Sequence, residues 1–155
     1  MNAQGGCSCG QVRYELASPA LFIHACHCMD CQNTTGSAFL INMLVDQRDL
    51  RVTGDTAPTS LPTASGAGRD VHACTACGTQ LWTRYQRAPA NIVHLRAGTL
   101  DDTSAIRPAA HIFTSTKQPW LTLPAGVPAF EAMYDLNAVW PAESLERLVN
   151  IAVDN

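Results

Sequence analysis

A mainly β domain of short antiparallel strands, closed by one C-terminal helix, is the fold class this sequence predicts. Three observations carry that reading. Period-two alternation is clear in "QVRYEL" (11–16), where Val12, Tyr14 and Leu16 share one face. Short apolar runs recur between turn residues. Helical periodicity is weak until the last fifteen or so residues.

The elements follow in order. After 11–16 come "LFIHA" (21–25) and "AFLINMLV" (38–45), nearly continuous apolar runs of the kind covered on both faces. "DLRVTGD" (49–55) reads as a strand ending at a Gly54–Asp55 turn. "RDVHAC" (69–74), "TQLWTRY" (79–85), "NIVHLRAG" (91–98) and "AHIF" (110–113) complete about eight strands, the number of a sandwich-like or tent-like domain. "TAPTSLPTASGAG" (56–68) reads as a mobile connection with a short strand near Thr59–Leu61. Pro141 suits the first turn of a helix over 141–152, with Leu145, Leu148, Val149 and Ala152 as its apolar stripe. Trp82 and Trp120 read as core residues.

Composition narrows the function. A 155-residue chain with 46% hydrophobic and 15% charged residues is long enough for a full core and too apolar to be disordered. Its net charge of −3, with Lys117 as the only lysine and nine scattered arginines, gives no basic stripe for nucleic acid. The first ten residues lack a basic, then apolar, signal pattern, and no run is apolar enough to span a membrane. A cytoplasmic location is therefore expected. There, seven cysteines at short spacings are kept for metals or chemistry rather than for disulfides.

The cysteines fall into three groups. "CTACG" has the spacing of a zinc knuckle, with Gly78 easing the tight turn in a left-handed conformation. A knuckle supplies half a tetrahedron, and "CSC" at 7–9 supplies the other half if its backbone is extended, so that residues i and i+2 face one way. Cys7, Cys9, Cys74 and Cys77 are thus expected to hold a structural zinc, a kind of site that contributes on the order of 10–16 kcal/mol of folding free energy. An iron–sulfur cluster is the other metal reading such spacings admit. Cys26, Cys28 and Cys31 remain without a fourth cysteine. Either a histidine closes that second zinc site, with His111 the best placed, or one position stays open for a substrate.

Four segments together, "GGCSCGQVRYEL", "CHCMDCQNTTGSAF", "ACTACGTQLW" and "HIFTSTKQPWLTL", give the chain a specific likeness. It resembles the glutathione-dependent formaldehyde-activating enzyme family, also described as centromere-protein-V-like. The resemblance implies a β-tent zinc fold with two zinc ions per chain. It implies a structural site at Cys7, Cys9, Cys74 and Cys77, and a catalytic one at Cys26, Cys28 and Cys31. It further implies a carbon–sulfur lyase, active as a small thiol such as glutathione joins or leaves formaldehyde. A catalytic domain over 1–132 and a helical extension over 133–155, packed on the same domain, are expected.

Thr35, Gly36 and Ser37 follow the ligand loop and are candidate substrate contacts, against the plainer reading of a turn into the next strand. His111 is a candidate proton shuttle. No arginine is singled out by position for a substrate carboxylate. The rival function is a non-catalytic zinc module for a protein or a thiol metabolite.

Overall fold

The computed structural model describes residues 3–89 and 91–153. Ten strands form two sheets. A three-stranded antiparallel sheet takes β1 (Ala3–Gly6), β2 (Arg13–Leu16) and β5 (Leu50–Thr53) in the order β1-β2-β5. The larger sheet contains β3 (Phe22–Cys26), β4 (Leu40–Asp46), β6 (Thr56–Leu61), β7 (Arg69–Cys74), β8 (Gln80–Tyr85), β9 (Ile92–Arg96) and β10 (Ala110–Ile112). Its order is β10-β3-β4-β9-β8-β7-β6. All its pairs are antiparallel except β10 with β3, which the long crossing from β9 brings in parallel.

The two faces of the large sheet differ in chemistry. Met43, Val45, Val93, Leu95 and Trp82 point one way and meet Val12 together with Tyr14, Leu16 and Leu50 of the small sheet, forming a dry core. Fully burying a side chain such as Leu16, Leu81 or Leu95 stabilises the fold by roughly 1.5–3 kcal/mol. The opposite face follows from the register. His24, Asn42 and Arg96 are cross-strand partners, as are His94 with Thr83 and Tyr85 with Arg69. Partners share a face, and Cys26 lies two residues beyond His24 on it. At one end this face is apolar: Phe22, Leu44 and Ile92 pack with Tyr134, Trp140 and Ile151 from the C-terminal region.

Several elements depart from the sequence reading. β1 precedes the first expected strand, and β6 runs the full length of 56–61, paired with β7 from Thr56↔Cys74 to Leu61↔Arg69. It is a sheet edge, so polar side chains and Pro58, whose missing N–H weakens an inner strand, are tolerated there. A helix, α1 (Met29–Thr35), stands where a loop was expected. α2 (Leu136–Val139) and α3 (Ala142–Val153) end the described chain. On α3 the buried stripe is turned by about one residue: Ile151 is 4% exposed and Ser144 is buried, while Val149 is 60% exposed and Ala152 also faces solvent. Trp120 is 71% exposed, because it sits in a tight turn closed by the Leu121 N–H on the Gln118 carbonyl. No described helix is long and apolar enough to cross a membrane.

Candidate metal centres and active site

The first cysteine cluster joins two loops that are distant in sequence. Cys7 and Cys9 lie in the β1–β2 connection, which is a turn and not the extended segment expected: the Gly10 N–H bonds the Cys7 carbonyl, and Gly10 has φ 78°. The Val12 N–H donates to Cys7 Sγ at 3.2 Å, fixing one sulfur. The β7–β8 loop repeats the device. The Gly78 N–H bonds the Cys74 carbonyl, and Gly78 has φ 72°, the left-handed conformation that a residue without a Cβ adopts at least cost. Ser8 and Thr79 clasp the two loops together, with the Ser8 N–H donating to Thr79 Oγ1 at 3.2 Å. The Thr79 hydroxyl and amide draw the Cys77 thiol down to about 5, favouring the thiolate that a metal requires. The four sulfurs lie within 4.8 Å of one another. Cys7–Cys9 measure 3.4 Å and Cys9–Cys74 3.9 Å. Tetrahedral ligation at about 2.3 Å puts sulfurs about 3.8 Å apart, so this set fits zinc.

The second cluster is built from a strand end and a helix start. Cys26 ends β3, and Cys28 is the N-cap of α1, accepting the Cys31 N–H on its sulfur at 3.4 Å. Capping thereby turns a CxxC spacing into converging sulfurs. Cys26 and Cys28 Sγ are 3.4 Å apart, and all three sulfurs lie within 4.8 Å of one another. Bonds from the Cys26 and Cys31 thiols pull Cys28 down, whereas Cys26 is pushed up by its sulfur neighbours. Three converging sulfurs suit replacement of the thiol protons by a divalent cation. Among the described residues no histidine or carboxylate joins these three.

The histidines have other partners. His111 turns Nδ1 towards His27 Nε2 at 2.9 Å, and both rings are buried. His72 stacks on Trp82 at 5.0 Å and does not join the four cysteines of the first cluster. His24 Nδ1 meets the Tyr134 hydroxyl at 3.0 Å, while His94 Nδ1 is buried without a partner. Burial lowers both, His24 to about 4 and His94 to about 3, so they are neutral at physiological pH.

The ligand loop is clamped by two segments. His27 donates its N–H to the Ile112 carbonyl of β10. Its own carbonyl accepts from Gln32 Nε2 at 2.6 Å and Thr116 Oγ1 at 2.9 Å. Gln32 Nε2 also reaches the Thr116 carbonyl, and Gln32 Oε1 accepts from Gln118 Nε2 at 2.6 Å. This joins "CHCMDCQ" to "HIFTSTKQ" and holds Cys26 and Cys28 on either side of a fixed residue. Gln32→Leu is expected to weaken metal binding at the second cluster by about 10–100-fold and leave the first cluster's affinity unchanged; competition with a chromophoric chelator measures both.

Past the helix, Gly36 caps α1 with φ 62°, and its N–H bonds the Gln32 carbonyl. The Ser37 amide bonds the same carbonyl. The Thr35 hydroxyl donates to the Cys31 carbonyl at 2.7 Å, and the Ser37 hydroxyl to the Phe39 carbonyl at 3.0 Å. Their donors are thus spent on ending the helix and entering β4.

The sequence model of the glutathione-dependent formaldehyde-activating enzyme family matches residues 2–116, which takes in both clusters and the clamp as far as Thr116. The chain belongs to that family. A Halomonas elongata protein named "Putative glutathione-dependent formaldehyde-activating enzyme" is 30% identical over 130 residues, covering 79% of this chain and 82% of the relative. Among solved structures, a Rhodobacter sphaeroides protein superposes with a TM-score of 0.48 at 21% identity, over 68% of this chain and 91% of that one. α2 and α3 lie beyond the family match, yet Tyr134, Trp140 and Ile151 are buried against Phe22 and Leu44.

Proposed function

We propose that the chain is a zinc-dependent carbon–sulfur lyase, one that makes or breaks an S-hydroxymethyl thiol adduct at Cys26, Cys28 and Cys31. The observation that carries this reading is the convergence of three sulfurs with no fourth protein ligand among the described residues. A structural site closes its tetrahedron, and a working site keeps a position free. Cys7, Cys9, Cys74 and Cys77 are the closed set and act in folding.

In the forward direction a carbon–sulfur bond forms between the thiol and the formaldehyde carbon. The thiol proton ends on the former carbonyl oxygen, and the reverse reaction returns both. Zinc held by the three cysteines supplies Lewis acidity and keeps a coordinating sulfur deprotonated. The chain's own part is preorganisation. Gln32, Thr116 and the β10 backbone immobilise His27, so the flanking sulfurs need no rearrangement when substrate arrives. His111 fixes the His27 ring from behind and is a positioning residue on this reading.

Exchange NMR of formaldehyde with glutathione tests the proposal. Catalytic amounts of protein should accelerate exchange between free aldehyde and adduct well beyond the spontaneous rate. No acceleration with glutathione or with any other thiol tried would leave a non-catalytic zinc module instead.

A further inference from the structure

Behind the second cluster the polar face of the large sheet carries two arginines, Arg69 on β7 and Arg96 on β9, each only 6% exposed. Neither has a carboxylate partner among the described residues, whose ion pairs are Arg13–Asp101 and Arg48–Asp46. Arg69 Nη2 donates to Thr34 Oγ1 at 2.8 Å and towards the Asp30 carbonyl at 3.4 Å, both on the helix that carries Cys31. Arg96 Nη2 donates to Gln80 Oε1 at 2.8 Å and Thr83 Oγ1 at 3.3 Å. Arg69 Nε and Arg96 Nε and Nη1 are buried with no partner at all.

Burying an unpaired charge is costly, and two like charges on one face add their repulsion. Neighbouring groups bring no negative charge: His24 and His94 are neutral, and burial keeps the Tyr85 phenol, which bonds Arg69, protonated. Deprotonated cysteines of the second cluster would supply the compensating charge. Arg96 stands on the face that holds Cys26, two strands across and two residues along, or ~12 Å away at about 4.8 Å per strand and about 3.3 Å per residue. Arg69 is tied through Thr34 and the Asp30 carbonyl to the helix on which Cys31 stands. Three thiolates on a divalent ion leave one negative charge. Two guanidinium groups outweigh it, so the buried unit stays one charge positive until a monoanion enters.

We propose that Arg69 and Arg96 tune the fourth position of the second cluster to a monoanionic sulfur ligand, a thiolate, in preference to a neutral one. The thiol gives its proton to solvent on entering, and the buried unit then becomes electrically neutral. Both arginines are positioning residues that act through charge. The inference rests on reading Cys26, Cys28 and Cys31 as a metal centre.

The test uses the full chain loaded with cobalt(II), whose visible spectrum reports each ligand that joins the metal. It is titrated with 2-mercaptoethanol, with 3-mercaptopropionate and with imidazole. Arg96→Met should bind 2-mercaptoethanol about tenfold more weakly, the scale set by one charge at this separation. Its imidazole affinity should be unchanged, and Arg96→Lys should restore thiol binding. Equal weakening of thiol and imidazole would overturn the proposal in favour of a structural role. Weakening confined to 3-mercaptopropionate would overturn it too, because the arginines would then be reading a carboxylate. Should Arg96→Met fail to fold, Arg69→Gln carries the same comparison. Failure of the metal-centre reading looks different: Cys28→Ser would then leave the parent's spectral response to thiol intact.

Discussion

Cys77→Ser should lose the first metal and melt more than about 10 °C below the parent, although it changes one exposed atom. The contrast in magnitudes makes this variant diagnostic. A surface substitution that touches no special feature shifts the melting temperature of a domain this size by only about 2 °C. Cys77 is exposed, and outside the cluster its thiol meets only Thr79 among the described residues, through the hydroxyl at 3.2 Å and the amide. Without a metal, serine at this position would be nearly silent. With one, the substitution removes a ligand from a centre joining the β1–β2 turn to the β7–β8 loop across two sheets. Metal binding is then folding free energy, and the loss appears in full. Differential scanning calorimetry with parallel metal analysis measures it. A parent-like melting temperature would mean that these four cysteines hold no structural ion.

How much of this was legible in the sequence depends on the length of the pattern. The cysteine groups were readable because cysteine spacing is a local code, and the structure gathers Cys7 and Cys9 with Cys74 and Cys77 into one set that could hold a metal. Inner strands such as β4 and β9 were readable from their apolar runs. α1 was not, because seven mostly polar residues show no helical period; its signals were a capping residue at Cys28 and a left-handed stop at Gly36. Of β6 only the stretch near Thr59–Leu61 was readable, because an exposed edge has no apolar face to display. Arg69 and Arg96 were missed for a different reason. Arg96 follows His94 at i+2, so strand phase puts both on one face, but charge in an inward position is invisible until the register shows what lies across from it. Trp120 shows the reverse error, since size suggested burial and a tight turn exposed it.

Cys28→Ser should separate function from folding. Serine is among the preferred N-cap residues, so an oxygen at position 28 can accept the Cys31 N–H as the sulfur does, and α1 keeps its start. The residue is only partly buried, and stability should change by less than about 1 kcal/mol. Ligation fares differently, because a three-sulfur centre reduced to two has little hold on zinc. Lewis-acid stabilisation worth several kcal/mol disappears with the ion, which at 1.36 kcal/mol per tenfold is on the order of 10³-fold in rate. Metal analysis should find two equivalents in the parent and one in the variant. Mild chelation should draw the parent to one equivalent as well, because a site with an open position exchanges faster than a closed one. Equal retention of both ions under chelation would count against an open second site. A variant that lost its fold along with its metal would make Cys26, Cys28 and Cys31 a second structural centre. A catalytic role then survives only if activity falls far more steeply than melting temperature, and that split is what the hydrogen-bonded clamp at Gln32 and Thr116 leads us to expect.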